Sequence, residues 1–312
     1  MAAQNFSGDG QQKTVGDLPC SLNLTSGLHG HLIFLSVLNS FLSVTAFLGN
    51  SLILLALQKE SSLHPSSKLL LRNLATTDLC VGLISQPFAV IYWMSVANEH
   101  WNILPFAFVA QFITSYILCG VSVSTLTAMS VDRLLAFLLG LRYRQVVTLK
   151  RTYVIVIASW VVCTVSSAIQ FWNRLITLWY GIVGISLCLV ISIFSYTNIF
   201  LTLRHHQNEV QDHVQQPNQT NQLNIARYKK AVSTAIWLQL TLVACYLPFN
   251  IVGVLTSYTG LSSSLCYALI YTRTLVFLNS SLNPILYCWK MEEVRQAVKN
   301  TIRQVLCYCF SS

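Results

Sequence analysis

Long apolar stretches alternate with short polar connections along most of the chain, beginning near residue 32. A helix needs about 20 mainly apolar residues to cross the hydrocarbon layer of a membrane. Stretches of about that length occur at Leu32–Leu57, Leu69–Met94, Ile103–Leu135, Tyr153–Phe171, Ile176–Leu203, Ala231–Ser257 and Cys266–Trp289. The pattern predicts an all-α fold: a seven-transmembrane helix bundle over residues 31–289, with an N-terminal segment over 1–30 and a tail over 290–312.

Composition supports the membrane interpretation. Of the 312 residues, 54% are hydrophobic and only 9% are charged, and the mean hydropathy is +0.57. A soluble globular protein of this length carries far more charged residues. We therefore expect a multi-pass membrane protein.

Basic residues cluster in alternate connections between the predicted spans. They are Lys59, Lys68 and Arg72, then Arg142, Arg144, Lys150 and Arg151, then Arg204, Arg227, Lys229 and Lys230, and finally Lys290, Arg295, Lys299 and Arg303. By the positive-inside rule, these connections and the C-terminus are cytoplasmic and the N-terminus is extracellular, as in a plasma-membrane protein. The net charge of +9 thus reflects topology, and nucleic-acid binding is not expected.

The predicted extracellular side carries modification signals. Asn5 and Asn23 each begin an Asn-X-Ser/Thr sequon, which predicts N-linked glycosylation. Cys20 and Cys266 are the only cysteines expected on the oxidising side, so they are the candidates for a disulfide.

The predicted cytoplasmic side carries two further features. Residues Met291–Leu306 place apolar and basic residues on opposite faces of a helix, and Cys307 and Cys309 follow. This predicts a short amphipathic eighth helix on the inner leaflet with palmitoylated cysteines, or else a plain amphipathic tail with free thiols. The polar run Gln207–Asn224 predicts a flexible loop between the fifth and sixth spans.

A carboxylate lies within the second predicted span, where a charge is costly and therefore indicates function or a structural polar cluster. That residue is Asp78, and several oxygen-bearing side chains fall at comparable depths: Asn50, Ser122, Asn279, Ser280 and Asn283. Together they could bind a sodium ion, because hard cations prefer oxygen ligands. A hydrogen-bond network without an ion would use the same residues.

A second charged feature stands at the cytoplasmic end of the third span. Asp132 and Arg133 are adjacent there. Neither charge is stable alone at the membrane boundary, so the sequence predicts that the two side chains pair.

Each predicted span also carries one short motif. They are Asn50 in GNSLI, Asp78 in LATTDL, Asp132-Arg133 in DRL, Trp160 in ASWVV, Tyr196 in SYTNIF, Pro248 in CYLPFN, and Asn283 to Tyr287 in NPILY. In this order the motifs resemble those of rhodopsin-like (class A) G-protein-coupled receptors, and the resemblance extends over residues 31–309.

The resemblance implies roles for the residues on these motifs. Arg133 would release Asp132 and engage a heterotrimeric G protein, and Tyr196 and Tyr287 would move inward to support it. Pro248 would kink the sixth helix, whose inner end moves outward on activation. Tyr246 occupies the position of the family's usual tryptophan. Pro284 would distort the seventh helix.

Some family features are absent. Phe108 stands where the third helix usually has a disulfide-bonded cysteine, and Cys188 stands where the fifth usually has proline. Both absences resemble the melanocortin, cannabinoid, lysophospholipid and adenosine branch. The inner sixth helix has ARYKK at 226–230 without an acid to restrain Arg133, which predicts ligand-free signalling.

The ligand class is narrowed by exclusion. Ser115 occupies the position of the amine-binding aspartate, and Val276 that of the retinal-binding lysine. By resemblance, the ligand-binding residues are Gln86, Gln111, Ser115, Tyr116, Cys119, Phe249, Asn250 and Thr272, a set compatible with a lipid, a nucleoside or a short peptide. Arg273 either binds an anionic ligand or extends outward to the lipid headgroups, and the second alternative is preferred.

Two other classes of membrane protein remain as alternatives. An intramembrane enzyme would need metal or nucleophile chemistry, but all the histidines lie in predicted loops or at span edges. A transporter or channel would show paired broken helices or several midplane charges. The sequence has a single deep carboxylate, so a receptor without a catalytic site or cofactor, apart from sodium, is expected.

Overall fold

The computed structural model describes residues 27, 29–59, 63–213, 219–290 and 292–311, and the regular elements within them are helical. The long helices are α1 (His29–Lys59), α2 (Pro65–Ala97), α3 (Leu104–Leu139), α4 (Leu149–Ala168), α5 (Arg174–His213), α6 (Gln219–Thr259), α7 (Ser263–Lys290) and α8 (Glu292–Ser311). A π-helical turn, Val81–Ser85, interrupts α2, and a single helical turn, Tyr143–Val146, lies between α3 and α4.

The helices coincide with the predicted spans and extend beyond them at most ends. Among the described residues, six helical segments, within α1 to α6, are long and apolar enough to cross a membrane. Helix α7 is 28 residues long but is not among the six, because Arg273 and the polar residues of its inner half reduce its apolar character. The structure is therefore a helical membrane bundle.

Neighbouring helices pack side by side. Helix α1 packs against α2 and α7, α3 against α2, α4 and α5, and α6 against α5 and α7, while α8 contacts α1 and α7. In the most apolar 18-residue stretches of α2 and α3, 44% of the stretch is buried inside the structure, whereas the corresponding share in α4 is only 11%. Helices α2 and α3 thus form the interior of the bundle, and α4 presents most of its surface to lipid.

The polar run at 207–224 is not a loop throughout. Helix α5 continues to His213 and α6 begins at Gln219, so the loop prediction is wrong for both ends of the run. Glutamine and glutamate are good helix formers, and a helix continues through polar residues until a breaker intervenes. Residues 214–218, which contain Pro217, lie outside the described residues.

Helices α1 and α2 approach closely at the π-helical turn. A Cβ atom on Gly82 would lie 2.8 Å from the backbone oxygen of Ser43 and 3.0 Å from the Cβ of Ala46. The Ser43 hydroxyl also donates a hydrogen bond of 2.6 Å to the Gly82 carbonyl. Backbone atoms cannot move aside as a side chain can, so glycine is required at this crossing.

Replacing Gly82 with alanine should therefore separate the two helices and destabilise the protein by about 1–3 kcal/mol, the usual cost of overpacking. The thermal midpoint of the solubilised protein measures this loss. Gly184→Ala is the matched control, because a Cβ atom there meets no atom within 4 Å. Equal midpoints for the two variants would contradict the close crossing.

Candidate functional site

The centre of the bundle contains a buried carboxylate, that of Asp78 on α2, which is 0% exposed. The hydroxyls of Ser122 on α3 and Ser280 on α7 donate hydrogen bonds to its Oδ1 over 3.0 and 2.8 Å. The Asn283 amide of α7 donates to Oδ2 over 2.6 Å. A single side chain therefore links three helices.

Two other predicted members of this polar cluster are arranged differently. Asn279 is buried, but its amide nitrogen has no hydrogen-bond partner among the described residues, and it does not bond to Asp78. Asn50 donates to the backbone oxygens of Ala46 and Ser280 over 2.8 and 3.0 Å, while its own Oδ1 is buried without a described partner. These unmatched polar atoms leave the cluster with capacity to bind water or an ion.

The position of Pro284 explains the hydrogen bond from Asn50. Proline has no N–H, so within a helix it leaves the carbonyl four residues earlier without a partner. In α7 that carbonyl belongs to Ser280, and the Asn50 amide of α1 donates to it. A Cβ atom on Gly49 would lie 3.0 Å from the Pro284 ring. The proline thus creates the backbone defect through which α1 is joined to α7.

The donor set around Asp78 fits a sodium ion. It offers a carboxylate and two hydroxyls, and each hydroxyl keeps lone pairs after donating its proton to Asp78. The three hydrogen bonds to the carboxylate all come from neutral groups. When such a buried carboxylate is ionised, its charge has no basic partner, and a bound cation would neutralise it.

At the inner end of α3, Asp132 is bound by neutral groups and not by Arg133. The hydroxyls of Tyr143 and Ser67 donate to its two carboxylate oxygens over 2.6 and 2.7 Å. The Arg133 side chain is exposed, and no ion pair joins it to Asp132 among the described side chains. The predicted pairing of the two charges is therefore wrong for this conformation, because two hydroxyls take the positions that Arg133 would occupy.

Sequence reasoning missed Ser67 and Tyr143. Tyr143 reaches Asp132 because the chain reverses at Gly140, whose φ of 50° lies in the region that favours glycine. Burial and the hydrogen bond to Asp132 raise the pKa of Tyr143 to about 12. The hydroxyl therefore stays protonated, and able to donate, throughout the physiological pH range. The sequence feature that could have indicated this contact is a glycine, Gly140, followed three residues later by Tyr143.

The predicted switch residues of the inner and middle bundle are buried. Tyr246, two residues before Pro248 in α6, is 2% exposed. Its hydroxyl donates a hydrogen bond of 3.3 Å to the Cys119 backbone oxygen of α3. Tyr196 is buried on α5. Tyr287 is fully buried, and its hydroxyl has no described partner. It does not contact the exposed Arg133 in this conformation.

Several predicted ligand-binding residues make hydrogen bonds in the outer half of the bundle, and of these Gln111 and Ser115 bond to each other. Gln111 on α3 donates to the Ser115 hydroxyl over 3.2 Å and accepts from Arg273 Nη1 over 2.9 Å. The Asn250 amide donates to Ser186 of α5 over 2.7 Å, and the Tyr116 hydroxyl donates to the Thr177 carbonyl over 3.4 Å.

The remaining predicted ligand-binding residues differ in their surroundings. Gln86 is fully buried with neither amide atom bonded to a described residue. Thr272 is buried but donates to backbone within its own helix, and Phe249 is half-buried.

The sequence favoured an Arg273 side chain that extends to the lipid headgroups, but the structure places it otherwise. Its hydrogen bond to Gln111 turns the guanidinium into the bundle, between α7 and α3. The outward extension predicted for it is wrong because a fully buried amide oxygen on α3 accepts from it at hydrogen-bond distance. Only the alternative of an inward-facing cation remains.

An aromatic contact occupies the place of the missing disulfide at the top of α3. The Arg174 Cζ lies 5.7 Å from the centre of the Phe108 ring, and the Tyr92 ring lies 5.7 Å from the same ring. A cation–π contact thus joins the beginning of α5 to α3. The connection before α5 is short, and Asn173 caps that helix by accepting from two backbone amides.

Several predicted modifications fall outside what the structure describes. Asn5, Asn23 and Cys20 lie outside the described residues, and the Cys307 and Cys309 side chains are likewise not described. Cys266 is fully buried and is disulfide-bonded.

The family described as "7 transmembrane receptor (rhodopsin family)" matches residues 49–175 and 162–287, which together cover more than half of the chain. The chain belongs to this family of receptors. The match is consistent with the buried Asp78 and Asn283 of α2 and α7, and it excludes the enzyme and transporter alternatives.

Individual relatives are receptors with distant sequences. Probable G-protein coupled receptor 45 of Mus musculus is 23% identical, over 90% of this chain and 83% of its own length. Human melanocortin receptor 3 is 25% identical, over 86% of this chain and 84% of its own. The high-affinity lysophosphatidic acid receptor of Xenopus laevis is 23% identical, over 85% of this chain and 81% of its own length. Receptors named for melanocortin and for lysophosphatidic acid are thus among the relatives that this chain resembles.

The contacts of Asp132 predict the effect of a single hydroxyl on this receptor. In Tyr143→Phe, Asp132 loses a hydrogen bond of the charged type, which contributes about 1.5–3 kcal/mol. Asp132 should then attract Arg133, and ligand-free signalling should fall by about tenfold or more, as a loss of about 1.5 kcal/mol or more implies. Second-messenger output without ligand, at matched surface expression of the two proteins, measures this fall in signalling.

Tyr153→Phe is the control for that substitution, because Tyr153 is 49% exposed on α4 and lies far along the chain from Asp132. Unchanged or higher output from Tyr143→Phe would show that Tyr143 does not keep Asp132 away from Arg133.

Proposed function

We propose that this chain is a plasma-membrane receptor with an extracellular N-terminus that activates heterotrimeric G proteins when the inner end of α6 opens. In this proposal α7 is the seventh span and α8 lies on the inner leaflet. The observation that carries the proposal is the exposed Arg133 beside an Asp132 already bound by Ser67 and Tyr143. An arginine that is not paired is available to a G protein.

The extracellular ligand is a lipid, a nucleoside or a short peptide. The relatives named for melanocortin and for lysophosphatidic acid support a ligand other than a monoamine or retinal. So does the pocket: Ser115 is bonded to Gln111 where an amine receptor has a carboxylate, and Val276 is buried where a lysine would hold retinal. Agonist binding between the outer ends of α3, α5, α6 and α7 would favour the open conformation.

A sodium ion at Asp78 would favour the closed conformation. Asp78, Ser122 and Ser280 are its nearest candidate ligands, and Asn279 and Asn283 complete the set that the sequence indicates. Their hydrogen bonds draw α2, α3 and α7 together. A cation neutralises the buried charge only while these helices remain close, so opening the inner bundle would weaken its binding.

Covalent modifications complete the proposal. Cys266 would pair with Cys20, which ties the N-terminal segment to the outer end of α7. Sugars on Asn5 and Asn23 would mark the extracellular face. Palmitoyl groups on Cys307 and Cys309 would hold α8 at the membrane, since its buried Val294 and Val298 already face the bundle.

Ligand-free signalling tests the proposed function directly. Cells expressing the receptor should give second-messenger output above empty vector for at least one class of G protein, because no acid on inner α6 restrains Arg133. Arg133→Ala, at matched surface expression, should return the output to the level of empty vector. Output equal to empty vector across all major G-protein classes would contradict the prediction of an exposed, active Arg133.

A further inference from the structure

Arg273 places a positive charge inside the outer half of the bundle. Its Nη1 donates to Gln111 Oε1 over 2.9 Å, and Gln111 is itself 0% exposed on α3. A guanidinium has five N–H donors, and the structure records a described acceptor for Nη1 only. The remaining donors can therefore bind a further group in this region.

A second arginine lies near the first. Phe108 stands three residues before Gln111, so the two residues lie one turn apart on the same face of α3, and the Tyr92 ring lies 5.7 Å from the Phe108 ring. Arg174 is positioned by the Phe108 ring. Two like charges thus face the same part of the outer bundle.

Among the described residues, the partner recorded for the Arg273 guanidinium is the neutral amide of Gln111, not a carboxylate. Glu99, the acidic residue that the structure describes on the outer side, is exposed in the connection before α3. A partly buried cation bonded to a neutral amide is poorly compensated, and an anion is the group that would neutralise it.

Aromatic rings continue inward from this charged region along α3. The Phe108 and Phe112 rings are 6.2 Å apart, and the Phe112 and Tyr116 rings are 5.8 Å apart. Phe112 and Tyr116 are only half-buried. An apolar or aromatic body could pack along this row while its charged end stays near Arg273.

We propose that the ligand of this receptor carries an oxyanion, a carboxylate or a phosphate, joined to an apolar or aromatic body. Arg273 binds the oxyanion through its planar group of donors, Gln111 orients Arg273, and Arg174 adds positive charge. The body lies along Phe108, Phe112 and Tyr116. The inference rests on the proposed function, since it assigns the chemistry of the ligand that the receptor binds.

Matched pairs of probes test the inference on the full-length receptor in nanodiscs. Each pair has an anionic and a neutral member: lysophosphatidic acid and the monoacylglycerol of the same chain, AMP and adenosine, and an apolar tripeptide with a free C-terminus and its amide. Thermal stabilisation measures binding, and nucleotide exchange on an added G protein measures signalling in the same sample. The pair that responds identifies the source of the oxyanion.

In at least one pair, the anionic member should bind about 10- to 100-fold more tightly than its neutral twin, because charge-assisted hydrogen bonds are involved. Arg273→Gln should remove that difference. Tyr258→Phe, which changes an exposed residue at the outer end of α6, should preserve it. If Arg273→Gln does not fold, Arg273→Lys is used instead. This variant should bind the anionic probe about tenfold more weakly and should bind the neutral probe as tightly as the unmodified receptor does.

Equal binding within every pair, or a difference that survives Arg273→Gln, would overturn the inference. Binding that depends on the oxyanion and on Arg273, without nucleotide exchange either with or without a probe, would support the inference while contradicting the proposed function. The two readouts therefore separate failure of the ligand assignment from failure of the receptor assignment.

Discussion

The buried carboxylate of Asp78 is the constraint on which the rest of the bundle depends. A charge at this depth is tolerated only where polar groups surround it. Here α3 and α7 supply those groups, through Ser122, Ser280 and Asn283. The need to solvate one side chain therefore fixes the relative positions of three helices. A change in that solvation, by a proton or a cation, alters how strongly the helices are held.

The polar sequence of α7 follows from the same constraint. Ser280 and Asn283 serve Asp78 with their side chains, and Pro284 frees the Ser280 carbonyl for Asn50 of α1. The helix thus loses apolar character and one backbone hydrogen bond, and it gains contacts with two neighbouring helices. This explains why α7 is less apolar than the other spanning helices. Residues that look misplaced in a membrane helix are those that join it to the bundle.

The helices were predictable because each contains a long, mainly apolar run. Asp78 with Ser122, Ser280 and Asn283 was predictable because the motifs stand at matching depths. The partners of Asp132 and Arg273 were not. Ser67 and Tyr143 approach Asp132 across a chain reversal, and the choice for Arg273 between lipid headgroups and Gln111 depends on side-chain direction. Hydropathy reports depth in the membrane, but it does not report which face of a helix meets a neighbour.

The central claim is that occupancy of the Asp78 site controls the inner end of α6. Spin labels can be attached at Arg144→Cys, before α4, and at Lys229→Cys, on inner α6, after the reactive native cysteines are replaced. Pulsed electron paramagnetic resonance then measures the distance between the two labels, which reports the position of the inner end of α6. Added sodium should shift the population toward the shorter distance, and Asp78→Asn should abolish the shift, whereas an equal molar amount of a large organic cation should have no effect. A distance distribution that ignores sodium, or that responds equally in Asp78→Asn, would contradict the account.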